Sequence, residues 1–309
     1  MVDLYLSLGL MLSLCGLATL AGASLQNRAG QGTIVRVEVV VCVAAGAYLL
    51  FLWDRPIISV LMPFSSAVIL GNWLPVFGSF LLGACLKTES ITLLRRAGLS
   101  AILIVISGYS LTRPVLGNPP ECLPVLSNRI LDFQTTDQTC SAACAAGLLR
   151  LHGVSASESE LANLCLTRRG THWLGVYRGL KLKTAGTNWD VVVQEVSTQE
   201  LFSRQLGPGI LAMSFHATES GNNRDPEWGF QSVSGHSVLI LNVQSDALLD
   251  VFDPDTYCGF EKWNKETLRN VRQGILLRLV PRDATQPAVE FDLAALKRES
   301  DAYPPIVRR

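Results

Sequence analysis

Residues 133–153 read FQTTDQTCSAACAAGLLRLHG and join a polar loop to an apolar, Ala-rich segment. Apolar residues recur at helical spacing from Cys140 to His152, Thr139 can serve as the N-cap, and Gly153 follows the last turn. The stretch therefore predicts a helix that begins on a cysteine. Backbone N–H groups and the macrodipole at a helix N-terminus favour a thiolate over a thiol. A small buried core residue is the alternative interpretation of this cysteine.

A nucleophilic cysteine needs a histidine as base and a third group that orients the imidazole. The sequence contains four histidines. His152 lies about three turns from Cys140 on the same helix, His172 stands in a loop without an acidic neighbour, and His216 ends an apolar strand. His236 differs because it follows a glycine and begins the apolar segment HSVLILNV. We therefore expect His236 to be presented at the start of a strand.

Asp253 ends the apolar segment LLDVFD. If 237–243 and 248–252 form a hairpin, His236 and Asp253 lie at the same end of it, which predicts a His–Asp pair. The alternative for Asp253 is an ordinary turn residue. Asn242 is a second candidate for orienting the imidazole, although it lies at the far end of the predicted strand.

Gln134 precedes Cys140 by six residues. Acyl transfer from a thiolate passes through an oxyanion, which needs a donor besides the backbone N–H of the nucleophile. A glutamine amide provides a donor without adding charge, and a six-residue loop is long enough to bring it beside the thiol. A glutamine in a polar loop indicates little by itself. The chain order Gln134, Cys140, His236, Asp253 is what predicts a thiol enzyme.

The elements around these residues predict an α+β domain, because helices come first and antiparallel strands follow. After the helix at Cys140, Ser157-Glu158-Ser159-Glu160 matches a capping box that opens a second helix through Cys165. A third helix is predicted from Trp173 to Thr184. Strand-like composition marks residues 191–193, 209–215, 236–243, 248–252 and 275–280.

From about Gln134 to Pro281 the chain resembles the bacteriocin-processing, double-glycine leader peptidases, cysteine peptidase family 39. Six segments appear in the order that this family shows, although each is weakly specific alone. They are Gln134 with Asp137-Gln138-Thr139-Cys140-Ser141-Ala142-Ala143, LLRLHGVSASESELANLC (148–165), Arg169-Gly170-Thr171, GPGILAMSF (207–215), Gly235-His236-Ser237-Val238-Leu239 with Phe252-Asp253-Pro254, and Gly274-Ile275-Leu276-Leu277.

The resemblance implies a papain-like fold for residues 131–282 and a cysteine-type peptidase activity. It implies Cys140 as the nucleophile, His236 as the base, Asp253 as the orienting group and Gln134 in the oxyanion hole. No cofactor and no metal are expected. The expected partners are a peptide or protein substrate and the lipid bilayer.

This chain departs from the family in three respects. Ser141 and Ala142 stand where glycine and often proline are usual. No ATP-binding domain is recognised after the peptidase-like part, and that part follows hydrophobic spans. We therefore expect a stand-alone membrane-anchored peptidase. A non-catalytic peptide-binding module and a thiol acyltransferase or transglutaminase-like enzyme stay open as alternatives.

Residues 1–113 predict a transmembrane domain of about four helices. Leu4 to Leu25 has no charged residue, is long enough to span a bilayer, and lacks the basic start of a signal peptide. Val37–Trp53 and the fifteen residues Ala97–Leu111 are further spans. Between them, prolines interrupt the uncharged stretch Ile57–Leu86. It predicts either one long tilted helix or a re-entrant piece before a span from about Ser66.

Basic residues predict the orientation of these spans. Five lie in the loops 26–36 and 87–96, against two at the opposite ends, namely Arg55 and Arg113. The positive-inside rule then places both termini outside the cytoplasm. The Pro-rich residues 114–130 predict a linker, and 283–309 a C-terminal tail. In an oxidising space the cysteines of the soluble part either pair or stay buried thiols, with Cys144 and Cys165 as the first expected pair.

Composition excludes several other function classes. The formal net charge is zero, so the chain shows no electrostatic footprint for nucleic acid. The eight cysteines form no CxxC pair of the kind that binds zinc, and no GxxxxGK[ST] phosphate loop is present.

Overall fold

The computed structural model describes residues 2–89, 91–123, 129–203, 207–215, 235–245, 248–283 and 289–301. The chain divides into two compact units, Met1–Leu116 and Gly117–Arg309. This division falls within residues 114–130, where the sequence predicts a linker.

The first unit is helical. Its helices are α1 (Val2–Arg28), α2 (Gln31–Phe51), α3 (Ile57–Leu61), α4 (Ala67–Leu70), α5 (Leu74–Lys87) and α6 (Leu93–Thr112). Three helical stretches are long and apolar enough to cross a membrane, namely α1, α2 and α6 with the 3-10 turn that extends it to Val115. Large apolar side chains cover their outer surfaces, such as Leu20, Val40 and Val105. An apolar outer surface of this kind is typical of helices that face lipid.

The predicted span between Ile57 and Leu86 differs from both forms that the sequence suggested, because it is divided into α3, α4 and α5. Helix α5 has 14 residues and rises about 21 Å at about 1.5 Å per residue, less than the roughly 30 Å of a hydrocarbon core. Proline residues explain the break between α3 and α4 and the start of α5. Pro63 separates α3 from α4, and Pro75 stands in the first turn of α5, where a missing backbone N–H costs no helical hydrogen bond.

Contacts nevertheless place this divided segment along α1 from Asp3 to Gly22. Ser65 Oγ lies 3.2 Å from Asp3 Oδ2, near the start of α1. Near the opposite end, the backbone of Gly83 meets the carbonyl of Thr19, which leaves no space for a side chain at Gly83. The chain then returns through α6, where Ser110 O accepts from Asn72 Nδ2 at 2.8 Å. Among the described residues of this unit, three helical stretches have the length of a full span, and the divided segment packs between them as shorter helices.

The second unit combines helices with one antiparallel sheet, which confirms the predicted mixture of elements. Its helices are α7 (Cys140–Leu151), α8 (Glu158–Leu164), α9 (Trp173–Lys183), α10 (Thr198–Ser203) and α11 (Leu293–Asp301). Its strands are β1 (Trp189–Val196), β2 (Gly209–Phe215), β3 (His236–Ser245), β4 (Leu248–Asp253), β5 (Gly259–Trp263) and β6 (Val271–Pro281). The sheet order is β1-β6-β2-β3-β4-β5, and every neighbouring pair is antiparallel.

Helix α7 packs against one face of the sheet and is buried almost throughout, with Arg150 as its one half-buried residue. Small side chains allow this burial. A Cβ at Gly147, for example, would lie 3.5 Å from Leu239 Cδ2 on β3. Arg150 pairs with Asp132 at 2.9 Å, and its Nε donates to Ile130 O at 2.9 Å. These bonds tie the C-terminal end of α7 to the chain that leads into the loop before Cys140.

Candidate active site

Helix α7 begins on Cys140, as the sequence predicts, and places it in a buried position. Thr139 occupies the N-cap position, but its side chain makes no capping bond. Its Oγ1 donates instead to Thr136 O at 2.9 Å. Thr139 is therefore the N-cap residue that the sequence predicts, and its hydroxyl closes the preceding turn of the loop.

The hairpin that brings His236 and Asp253 together is present. Strands β3 and β4 pair antiparallel with Leu239 opposite Phe252, so the start of β3 meets the end of β4. His236 Nε2 lies 2.9 Å from Asp253 Oδ1 and 3.0 Å from Oδ2. A carboxylate accepts hydrogen bonds, so Nε2 carries the proton in this pair. The other ring nitrogen, Nδ1, then faces the thiol of Cys140, with which the imidazole also hydrogen bonds.

The charges around Cys140 and His236 favour an ion pair between a thiolate and an imidazolium. Burial alone would raise the pKa of Cys140, but the hydrogen bond and the charge of His236, together with bonds from Ser237 and Ser141, lower it below the ordinary value. Burial alone would lower the pKa of His236, but its bonds to Asp253 and Cys140 raise it to about 10. A thiolate beside an imidazolium is the protonation state that these opposite shifts stabilise.

Gln134 lies beside the same end of the hairpin. Its backbone N–H donates to Pro254 O at 2.8 Å, and Pro254 directly follows Asp253. Its side-chain Oε1 is buried and has no hydrogen-bond partner within the described ranges. The loop from Gln134 to Cys140 therefore runs from the end of β4 to the start of α7.

Glu158 supports this loop, a role that the sequence did not predict. Its Oε1 accepts from Thr135 N at 2.8 Å. Burial raises the pKa of Glu158, against hydrogen bonds from Thr139 and Thr135 that lower it. The capping box predicted at 157–160 is present in its first half, because Ser157 Oγ accepts from Glu160 N at 3.2 Å. A glutamate beside a cap gives no local signal of a contact with a loop more than twenty residues away.

Two serines that directly follow Cys140 and His236 also meet in the site. Ser141 Oγ and Ser237 Oγ lie 2.8 Å apart, and both residues are buried. The sequence marks Ser141 only as a departure from the usual glycine, and Ser237 carries no signal beyond its place after His236.

Two other cysteines of this unit, Cys144 and Cys165, are buried within its helical layer. Cys144 Sγ donates to Ser237 O at 3.4 Å, and burial, with the charges of Cys140 and Asp253, raises its pKa well above the ordinary value. Burial raises the pKa of Cys165 to about 12. All eight cysteines are free thiols, so of the two alternatives the pairing of Cys144 with Cys165 is not the one observed.

His152, His172 and Asn242 are placed away from this role. His152 Nδ1 contacts Leu148 O at 2.7 Å, and His172 caps α9 by accepting from Leu174 N. Asn242 is exposed and pairs with Asp250 in the strand register, so it does not orient the imidazole. His216 lies outside the described residues. Among those residues, no group of three or more His, Cys, Asp or Glu side chains is placed to hold a metal ion.

Comparison with known proteins finds similarity at the level of structure. No family model matches the chain, and no curated protein matches it. Two similar solved structures are peptidase domains of ComA, one from Streptococcus, described as a bi-functional ABC transporter involved in a quorum sensing pathway, and one from Streptococcus mutans. Their TM-scores are 0.38 and 0.32. Each is 18% identical, and each alignment covers 49% of this chain and 98% of the other.

Proposed function

We propose that the chain is a membrane-anchored cysteine peptidase with a papain-like domain, related to the double-glycine leader peptidases that its motifs resemble. The observation that carries this proposal is the position of His236, which hydrogen bonds the thiol of Cys140 and lies 2.9 Å from Asp253. A histidine between a cysteine and a carboxylate is the arrangement that activates a thiol nucleophile. The substrate class is a peptide or a protein.

In the proposed reaction the thiolate of Cys140 attacks the carbonyl carbon of a peptide bond. A C–S bond forms, and the carbonyl electron pair moves onto oxygen. The backbone N–H of Cys140 and the side-chain amide of Gln134 donate to this oxyanion. His236 Nδ1–H then gives its proton to the leaving amine as the C–N bond breaks, which leaves an acyl-enzyme thioester.

The second half of the reaction releases the acyl group. Water attacks the thioester carbonyl, and neutral His236 accepts the proton that water loses. The C–S bond breaks, the product leaves as a carboxylic acid, and the thiolate–imidazolium pair returns. Asp253 holds the imidazole with its Nε2–H toward the carboxylate.

The proposed cellular arrangement follows from the first unit. We propose that its helices anchor the enzyme in the cell membrane and that the basic end of the bundle faces the cytoplasm, with the peptidase domain on the opposite side. The close approach of Gly22 on α1 to Ala84 on α5, both near the C-terminal ends of their helices, supports a common end for the loops 26–36 and 87–96.

Labelling of membranes that carry the full chain tests the activity. A biotinylated peptide with a thiol-reactive carbonyl group should label the wild type, and Cys140→Ala should abolish labelling while Cys144→Ala keeps it. The purified chain in detergent should also release new N-termini from a pool of fluorogenic peptides without an added amine acceptor. Equal labelling of the wild type and Cys140→Ala would refute the proposal, and acyl transfer that depends on an added amine would favour the transferase alternative.

A further inference from the structure

The two serines beside the reacting residues are connected to each other and to the sulfur. Ser141 is 2% exposed and Ser237 is 3% exposed, and their hydroxyl oxygens lie 2.8 Å apart. Ser141 Oγ lies 4.0 Å from Cys140 Sγ, within the range of a hydrogen bond to sulfur. The hydroxyl pair therefore joins the nucleophile's helix to the base's strand at the residues next to the reacting side chains.

Ser237 contacts helix α7 through three different atoms. Its backbone hydrogen bonds to Cys140. Its hydroxyl bonds to Ser141, and its carbonyl accepts from Cys144 Sγ at 3.4 Å. Because Ser237 follows His236 directly on β3, these contacts set the distance between the imidazole and the sulfur.

We propose that Ser141 and Ser237 form a two-hydroxyl relay that positions the thiolate of Cys140 for attack. In this relay Ser237 Oγ–H donates to Ser141 Oγ, and Ser141 Oγ–H donates to the sulfur. Each serine hydroxyl has one proton to donate and can accept as well, so the chain of two donors is complete only when it ends on an acceptor. A negatively charged sulfur is the acceptor at its end. The inference rests on the proposed function, since it concerns the same nucleophile.

If the two serine hydroxyls had only a structural role, the expected result would differ from that of the relay. A hydroxyl pair that only joined α7 to β3 would affect folding and leave the titration of Cys140 unchanged. The second unit contains a matched pair of this kind away from the site, where Thr167 Oγ1 and Thr171 Oγ1 lie 2.7 Å apart. Thr171→Val removes that bond and serves as the control.

The test measures the rate of Cys140 alkylation by iodoacetamide against pH, in the full chain in detergent and in a Cys144→Ala background. In Ser141→Ala the charged sulfur loses a hydrogen bond. The acid limb of the pH–rate profile should therefore move to higher pH by about one unit. Peptide turnover should fall about tenfold, mainly in kcat. Ser237→Ala should move the limb in the same direction, and the double variant should shift no further than Ser141→Ala because the residues act in series.

The profile of Thr171→Val should match the wild type. Ser141→Gly, which fits the same space, replaces Ser141→Ala if that variant does not fold. A wild-type profile in Ser141→Ala or Ser141→Gly would overturn the relay, as would shifts that add fully in the double variant. Failure of the proposed function is distinguishable, because the wild-type Cys140 would then titrate as an ordinary thiol and turnover would survive Cys140→Ala.

Discussion

Both carboxylate oxygens of Asp253 contact Nε2 of His236, at 2.9 and 3.0 Å. Asp253 is 0% exposed, and its Oδ1 also accepts from the backbone N–H of Asp255 at 2.8 Å. A buried carboxylate needs such donors to stay ionised. The pair therefore holds the imidazole in one orientation and stabilises its positive charge.

Asp253→Asn should reduce kcat by about 10²- to 10⁴-fold, because the amide no longer selects the productive tautomer or stabilises the imidazolium. It should also change the pH profile. Asp253 helps to raise the pKa of His236 to about 10, and activity falls above that pH as the imidazolium loses its proton. Without the carboxylate this alkaline limb should move to lower pH. Asp250→Asn is the matched control, since it changes a buried aspartate of the same strand that pairs with Gln244 instead.

Cys140→Ala should abolish peptide turnover and leave the domain folded, as measured by peptide hydrolysis and by circular dichroism. Cys144→Ala should keep most of the turnover. Both cysteines are buried and lie one turn apart on α7, but only the pKa of Cys140 is lowered. Comparable losses in the two variants would mean that the helix, and not the thiolate, is what the activity requires.

His236→Ala should lower kcat by about 10²- to 10⁴-fold, the range expected for loss of a general base. His152→Ala and His216→Ala should each keep turnover within a few-fold of the wild type, as a rough expectation for residues outside the reaction. His152 is occupied by a bond to Leu148 O, and His216 follows β2. If His216→Ala proved as damaging as His236→Ala, the base would have to be reassigned.

Glu158→Ala should destabilise the loop that carries Gln134. It leaves the half-buried N–H of Thr135 without this acceptor, which lowers the free energy of unfolding by about 1 kcal/mol. We expect a fall in kcat as well, because the amide of Gln134 is held less firmly. Glu158→Gln retains an oxygen acceptor and should recover much of both, as followed by thermal unfolding and peptide hydrolysis. Wild-type stability and turnover in Glu158→Ala would show that the loop holds its position without this carboxylate.

Alkaline phosphatase fused after Arg309 should be active, which would place the peptidase domain outside the cytoplasm. The expectation rests on the positive-inside rule, applied to the five basic residues of the loops 26–36 and 87–96 and to the four spans that the sequence predicts. Removing those charges, in a variant with Arg28, Arg36, Lys87, Arg95 and Arg96 changed to glutamine, should weaken this orientation. Strong fluorescence from a reporter that matures only in the cytoplasm would instead place the active site inside, and would favour leader processing coupled to export.

Local sequence alone determined the elements that carry the site. Cys140 begins a helix because a polar loop meets a run of residues with helical periodicity, and that run ends at Gly153, which has a positive φ of 73°. His236 and Asp253 meet because two apolar segments with a short connection form a hairpin, and pairing in a hairpin follows from the chain itself. Both relationships depend on neighbours within about twenty residues, which is the range where periodicity and turns are informative.

Tertiary packing decided the rest. Ser141 and Ser237 are 96 residues apart, and the contact between their hydroxyls exists because α7 lies against β3. The support of the Gln134 loop by Glu158, and the separation of Cys144 from Cys165 as free thiols, also depend on how helices pack on the sheet. In the first unit, hydropathy left open one long helix or a re-entrant piece before a span, and packing along α1 decided for a segment divided into three short helices. Hydrophobic patterns specify which face is buried, but they do not specify which distant partner covers it.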